Sequence, residues 1–175
     1  MNIVLIGFRC SGKSSSGRII AKKTGRTFID TDKMIEEKAG SSIEEIVKMS
    51  GWDYFRGLEK EAVKEVSDMD NLVIATGGGV VINEDNVTSL KKNGFTVWLK
   101  ADINTLKERV EREELSGNIR PSLTGLGILD EIETVLASRT PLYKKAGDFI
   151  IETDKLSIKE VANLIIREAS RRQPG

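Results

Sequence analysis

Gly7-Phe8-Arg9-Cys10-Ser11-Gly12-Lys13-Ser14 matches the pattern G-x-x-x-x-G-K-[ST], and it constrains the chain more than any other feature. A loop of this kind needs glycines because successive backbone N–H groups must curl around phosphate oxygens without Cβ clashes. It also needs a strand before it and a helix after it, so that the helix N-terminus points its partial positive charge at the phosphates. Both flanks are present. Asn2 to Ile6 (NIVLI) is a short apolar run that reads as a buried strand, and a helix is predicted from about Lys13 to Lys23, with Gly25 placed as a C-cap glycine. Lys13 is expected to reach the β- and γ-phosphates, and Ser14 to offer its hydroxyl oxygen to Mg²⁺. Cys10, Ser11, Gly12, Lys13, Ser14 and Ser15 are the expected ATP contacts.

The rest of the chain continues the alternation. Strands are predicted at Thr27 to Asp30, Leu72 to Thr76, Phe95 to Lys100 and Phe149 to Glu152. Between them lie helical stretches: from Asp32 as N-cap to near Gly40, Ile43 to Met49 behind a Ser42/Glu45 capping box, and Trp52 to about Glu65. Further helices are predicted at Glu84 to Lys92, Asn104 to Arg112, Ile128 to Arg139 with Pro141 interrupting or restarting it, and from Ser157 to near Ser170. Strands alternating with helices imply an α/β fold, a parallel sheet with helices on both faces. The length of 175 residues fits a single domain, 1–175, with no internal repeat or linker.

Composition removes whole classes of chemistry. There is no histidine, so acid–base work falls to a carboxylate, a lysine or a bound water. The 27 basic and 27 acidic residues balance, which does not favour a general nucleic-acid binder. One cysteine excludes an intrachain disulfide and fits a reducing compartment. No apolar run reaches membrane-spanning length, and the start of the chain lacks a signal-peptide pattern, so no membrane is expected and the cytoplasm is the expected location. No exposed apolar stripe argues for a dimer, and a monomer is expected.

A phosphate loop of this type is usually accompanied by a carboxylate at a neighbouring strand end. The strand Leu72 to Thr76 ends in Gly77-Gly78-Gly79 and offers none, whereas Thr27 to Asp30 runs into Asp30-Thr31-Asp32. The two aspartates are expected to divide the work, one facing metal and the other facing an acceptor. The glycine triplet would let backbone and ligand meet closely.

Together these residues resemble the shikimate kinases, a branch of the nucleoside-monophosphate-kinase-like P-loop kinases. The resemblance covers nearly the whole chain. Its specific part is an ordered set: Asp30-Thr31-Asp32, Gly51-Trp52-Asp53-Tyr54-Phe55-Arg56 with Glu59, Gly77-Gly78-Gly79, Arg120-Pro121, and Arg139-x-Pro141-x-Tyr143. It implies a three-layer P-loop fold with a five-stranded parallel sheet in the order 2-3-1-4-5. It implies ATP as co-substrate, Mg²⁺, and transfer to the 3-hydroxyl of shikimate, giving shikimate 3-phosphate and ADP. By the family pattern Asp32 is the base that hydrogen-bonds the acceptor hydroxyl, and Asp30 holds Mg²⁺ through water. Arg56 and Arg139 grip the substrate carboxylate, a task suited to planar bidentate guanidinium groups. Gly77, Gly78 and Gly79 approach the substrate, Gly78 through its backbone N–H. Arg120 closes over the phosphates from a lid at about 112–127 and joins Lys13 in catalysis. Arg109 lies near the adenine, and about 31–60 forms the substrate-binding region. Glu59, one turn after Arg56, is expected to orient that guanidinium. The chain departs from the family pattern at Ser122 in the lid and at Trp52-Asp53 after Gly51. Two other readings stay open: a P-loop kinase for a sugar acid or a nucleoside monophosphate, and a nucleotide-dependent binding module without phosphotransfer.

Overall fold

The computed structural model describes residues 1–115 and 128–172. Five strands form one parallel sheet: β1 (Asn2–Ile6), β2 (Thr27–Asp30), β3 (Leu72–Ala75), β4 (Gly94–Lys100) and β5 (Phe149–Glu152). Their order is β2-β3-β1-β4-β5, as the resemblance implies. Ile3 of β1 pairs with Val73 on one side and Phe95 on the other. The chain therefore leaves β1 toward one half of the sheet and later returns to the other half. In open sheets, ligands bind beyond the strand C-termini at such a reversal.

The central strand is buried along its whole length, because helices cover both faces. Its side chains alternate between them. Ile3 and Leu5 face α1 (Lys13–Thr24) and α7 (Ile158–Arg172), packing with Ile20, Val161 and Ile165. Val4 and Ile6 face the opposite layer, where α3 (Ile43–Ser67), α4 (Glu84–Lys92) and α6 (Ile128–Ala146) supply Val63, Leu90 and Tyr143. Leu5 has no exposed surface. Truncating it to alanine is expected to cost about 2–5 kcal/mol.

A smaller core lies apart from the sheet. Ile35 of α2 (Thr31–Ala39) packs with Ile46, Phe55 and Ala62 of α3. This lobe stands next to the C-terminal ends of β2 and β3, and it carries charged side chains toward the phosphate loop.

Local signals and structure differ at two of three informative places. The N-cap of α2 is Asp30, not Asp32: its carboxylate accepts hydrogen bonds from the Asp32 and Lys33 N–H groups. Either aspartate has the chemistry to cap, and the pairing of Asp30 with Ala75 decides where the strand stops. The two helices expected on either side of Gly51 are both present within α3, and they meet at a kink where Gly51 adopts φ 81° and ψ 170°. Such a positive φ suits glycine. Pro141 does not divide α6, which continues to Ala146. The proline removes one helical N–H. Anchoring by buried Val135 on one side and buried Tyr143 on the other outweighs that loss.

Candidate active site

The loop from Gly7 to Gly12 joins β1 to α1. Cys10 adopts φ 60° and Gly12 φ 93°, so the backbone turns tightly here. Lys13 opens α1 and is 8% exposed. Its ammonium folds back over the loop and donates to the carbonyls of Gly7 at 2.8 Å and Phe8 at 2.6 Å. The Ser14 hydroxyl donates to Asp30 Oδ2 at 2.6 Å, which joins the start of α1 to the end of β2.

These groups border a cleft of about 450 Å³, together with Ser11, Ser15 and Asp32. Arg109 of α5 (Ile103–Leu115) closes its far side. Its guanidinium donates to the Cys10 carbonyl at 3.3 Å and to Thr153 Oγ1 at 3.4 Å, tying the loop to the segment after β5. The Cys10 thiol lies 3.1 Å from Glu113 Oε2. Arg120 falls outside the described residues, as does most of the expected lid.

A second, smaller cavity of about 60 Å³ adjoins the first. Asp32, Arg56, Arg139 and the three glycines Gly77, Gly78 and Gly79 all line it. Asp32 is 7% exposed and lies in the first turn of α2. Two residues apart in a strand, Asp30 and Asp32 would point the same way. The change from strand to helix after Asp30 separates them: Asp30 turns to Ser14, while Asp32 reaches both cavities.

Arg56 is held on two sides. Its Nη1 donates to both Glu59 oxygens, at 2.9 and 2.8 Å, and its guanidinium lies 5.4 Å from the Trp52 ring centroid and 5.3 Å from that of Phe55. Glu59 is 1% exposed, and burial pushes its carboxyl above the ordinary range, opposed by the adjacent Arg56 charge. Arg139 is also buried and donates from Nη1 to the Gly78 carbonyl at 3.2 Å. Burial lowers its pKa, Tyr143 opposes that shift, and the like charge of Arg56 adds to it. Two guanidinium groups thus face one small pocket and repel each other.

The glycine turn after β3 makes room for these side chains as well as for a ligand. A Cβ on Gly77 would lie 2.6 Å from Asp32 Oδ1 and 2.9 Å from Glu59 Oε1, and one on Gly79 would strike the Arg56 guanidinium. The Gly77 N–H donates to Thr31 Oγ1 at 3.2 Å, and the Tyr143 hydroxyl donates to the Gly78 carbonyl. Burial raises the Tyr143 pKa to about 12, so it stays a donor.

Three contributors escaped the sequence reading. Thr31 and Tyr143 stand within the family pattern, but their bonds to the glycine turn depend on tertiary contact. Arg9 sits at a variable position of the phosphate loop and borders both cavities. The sequence signal for it was a guanidinium placed inside an anion-binding loop.

A main-chain phosphate cradle opening beside a cationic pocket at the same sheet edge defines a small-molecule kinase of the P-loop class. Comparison with known proteins narrows this. The family described as "Shikimate kinase" matches residues 9–170. The "Shikimate kinase" of Thermodesulfovibrio yellowstonii is 42% identical over 174 residues, covering 99% of this chain and 98% of that protein. That of Symbiobacterium thermophilum is 38% identical, covering 98% of each chain. Among solved structures, "Shikimate kinase from Acinetobacter baumannii in complex with shikimate" superposes with a TM-score of 0.89 at 31% identity, covering 99% of this chain and 95% of that one. The chain belongs to the shikimate kinase family. Among the described residues, no helix is long and apolar enough to cross a membrane.

Proposed function

We propose that the protein transfers the γ-phosphoryl group of ATP to the 3-hydroxyl of shikimate, giving shikimate 3-phosphate and ADP. The observation that carries this reading is the pairing of Arg56 and Arg139 in one pocket with Asp32, next to the phosphate loop. Two confined guanidinium groups favour an anion between them, and a ring carboxylate answers both. The acceptor hydroxyl then lies on the Asp32 side.

In this reaction each residue has an assigned role. The loop amides and Lys13 hold the β- and γ-phosphates. Asp32 orients the acceptor hydroxyl and takes its proton. Arg56, kept in place by Glu59, and Arg139 hold the carboxylate, and Gly78 presents its backbone beside them. Arg109 lies at the adenine side. The residues numbered 31–60 form the substrate-binding region, and by the family resemblance a lid at 112–127 would bring Arg120 over the phosphates.

The Ser14 hydroxyl and the Asp30 carboxylate, 2.6 Å apart, fit a magnesium site. Magnesium is usually bound through one or two protein oxygens plus substrate phosphates and water. Ser14 would bind it directly and Asp30 through water. Bound there, the ion neutralises charge on the β- and γ-phosphates.

Among the described residues, one chain brings Lys13, Asp30, Asp32, Arg56 and Arg139 to adjoining cavities, which supports a monomer as the working state. The cytoplasm, where ATP is available, is the location that accompanies the reading. The test is ADP release with magnesium and ATP, using shikimate as the sole acceptor. Release with shikimate but not with gluconate or nucleoside monophosphates is expected. Release with one of the latter instead assigns a different acceptor. Nucleotide binding without ADP release on any acceptor overturns the enzymatic reading.

A further inference from the structure

Among the described residues, Arg9 and Asp32 are the side chains that line both the nucleotide cleft and the acceptor pocket. In-line transfer moves a phosphoryl group from an oxygen in one cavity to an oxygen in the other. The group in flight therefore passes between the residues common to both walls. Asp32 has a role at that seam, and the motif at the phosphate loop assigns none to Arg9.

The surroundings of Arg9 hold it at the seam. Its side chain is only 10% exposed, and its Nη2 lies 2.9 Å from Oε1 of Glu131, a carboxylate on α6 with no exposed surface. A buried Arg–Glu pair is weak evidence for stability, because removing two charges from water offsets most of their attraction. It does fix a guanidinium in one place. The backbone is fixed as well: a Cβ on Gly78 would lie 3.2 Å from the Arg9 nitrogen, so the loop packs directly on the glycine turn of the acceptor pocket. Guanidinium geometry matches phosphate oxygens.

We propose that Arg9 is a further catalytic residue, touching the transferring phosphoryl group, and that Glu131 is its positioning residue. The inference rests on the kinase reading above. During the step, the bond from the β–γ bridging oxygen to the γ-phosphorus breaks, and its electron pair stays on ADP. The acceptor oxygen forms the new bond to phosphorus, and the hydroxyl proton passes to Asp32. Negative charge is spread over the three equatorial oxygens at that moment. Arg9 meets that charge from the seam, while Lys13 holds the loop side.

The test uses the full chain and measures turnover together with nucleotide affinity. Arg9→Met is expected to lower kcat by at least about tenfold, with Arg9→Lys recovering part of it. Its affinity for ADP with aluminium fluoride, a mimic of the phosphoryl group in flight, should fall at least about tenfold, while ADP alone changes by less than about twofold. A merely structural arginine would change both affinities together, and that result overturns the proposal. So does an effect confined to the acceptor KM, which would place Arg9 on the acceptor alone. Glu131→Gln keeps Arg9 in the chain and gives the same test should Arg9→Met fail to fold. In that variant kcat and the affinity for ADP with aluminium fluoride should fall, and where Arg9→Met folds, the double variant should be no slower than Arg9→Met. If the unaltered protein leaves shikimate unphosphorylated, the acceptor assignment fails separately. The aluminium fluoride comparison needs no acceptor and still decides the role of Arg9.

Discussion

The nucleotide cleft and the acceptor pocket share a wall but are built differently. In the cleft, the phosphate cradle comes from one short stretch of chain: the Lys13 ammonium bonds carbonyls of its own loop, and Ser14, next to it, reaches Asp30. In the pocket, locally held side chains from distant segments converge. Arg56 leans on Glu59 and two aromatic rings of α3, and Arg139 reaches from α6 to the Gly78 carbonyl. The cleft adds the Lys13 and Arg109 charges to main-chain amides that serve any triphosphate. The pocket stores charge in buried networks, because it must select one acid among many small molecules. Changes in the cleft should therefore damage turnover, and changes in the pocket should damage acceptor binding.

The largest effects should come at the cleft and at the seam. Lys13→Ala and Asp32→Asn are each expected to lower kcat at least about tenfold in an ADP-release assay with both substrates saturating, or ~1.4 kcal/mol of barrier. Near-normal turnover in both variants would remove the division of labour described above. Next, Arg139→Ala should raise the acceptor KM by about tenfold or more, in line with losing a charge-assisted hydrogen bond, and leave the ATP KM within about twofold. A matched rise in both constants would mean that the two regions do not act separately.

Glu59→Gln should weaken the hold on Arg56 and raise the acceptor KM several-fold. It also carries a pH signature. Burial holds the Glu59 pKa above its ordinary value in the folded chain. Between the ordinary value and the raised one, the folded protein binds more protons than the unfolded protein, so this contribution to stability falls as pH rises through that window. Urea unfolding midpoints measured across the window should show this decline, and Glu59→Gln should remove it. The smallest effect is expected for Tyr143→Phe. The Gly78 carbonyl would keep Arg139 and lose the phenol, a change of about 1 kcal/mol, or roughly fivefold in acceptor KM. A much larger loss would show that the turn depends on the phenol more than on the arginine.

Much of the fold was readable from sequence. The phosphate loop and its flanking strand and helix follow from one contiguous motif. The capping box at Ser42 and Glu45 appears as expected, with Ser42 Oγ accepting from the Glu45 N–H. Boundaries were harder where two residues could do the same local job. Asp30 and Asp32 both suit an N-cap, and strand pairing chose Asp30. Pro141 looked like a helix break, yet buried contacts on both sides carry α6 through it. The placement of Arg9 is the clearest case of what sequence alone leaves open. Its place in an anion-binding loop is a signal, but its ion-pair partner, Glu131, stands 122 positions away.

Short-range chemistry accounts for the cradle: glycines, an ammonium and a hydroxyl at adjacent positions bind phosphate wherever a strand leads into a helix. The alternation of Ile3, Val4, Leu5 and Ile6 likewise marks a strand with two covered faces before any partner is known. Which charges meet is another matter. Arg56, Arg139, Asp32 and Arg9 share a space only because β1 lies between β3 and β4, so that loops and helices far apart in the chain converge at one edge. Burial then sets Arg9 against Glu131, Arg56 against Glu59 and Arg139 against the Gly78 carbonyl, since a charge withdrawn from water must be paired or hydrogen-bonded.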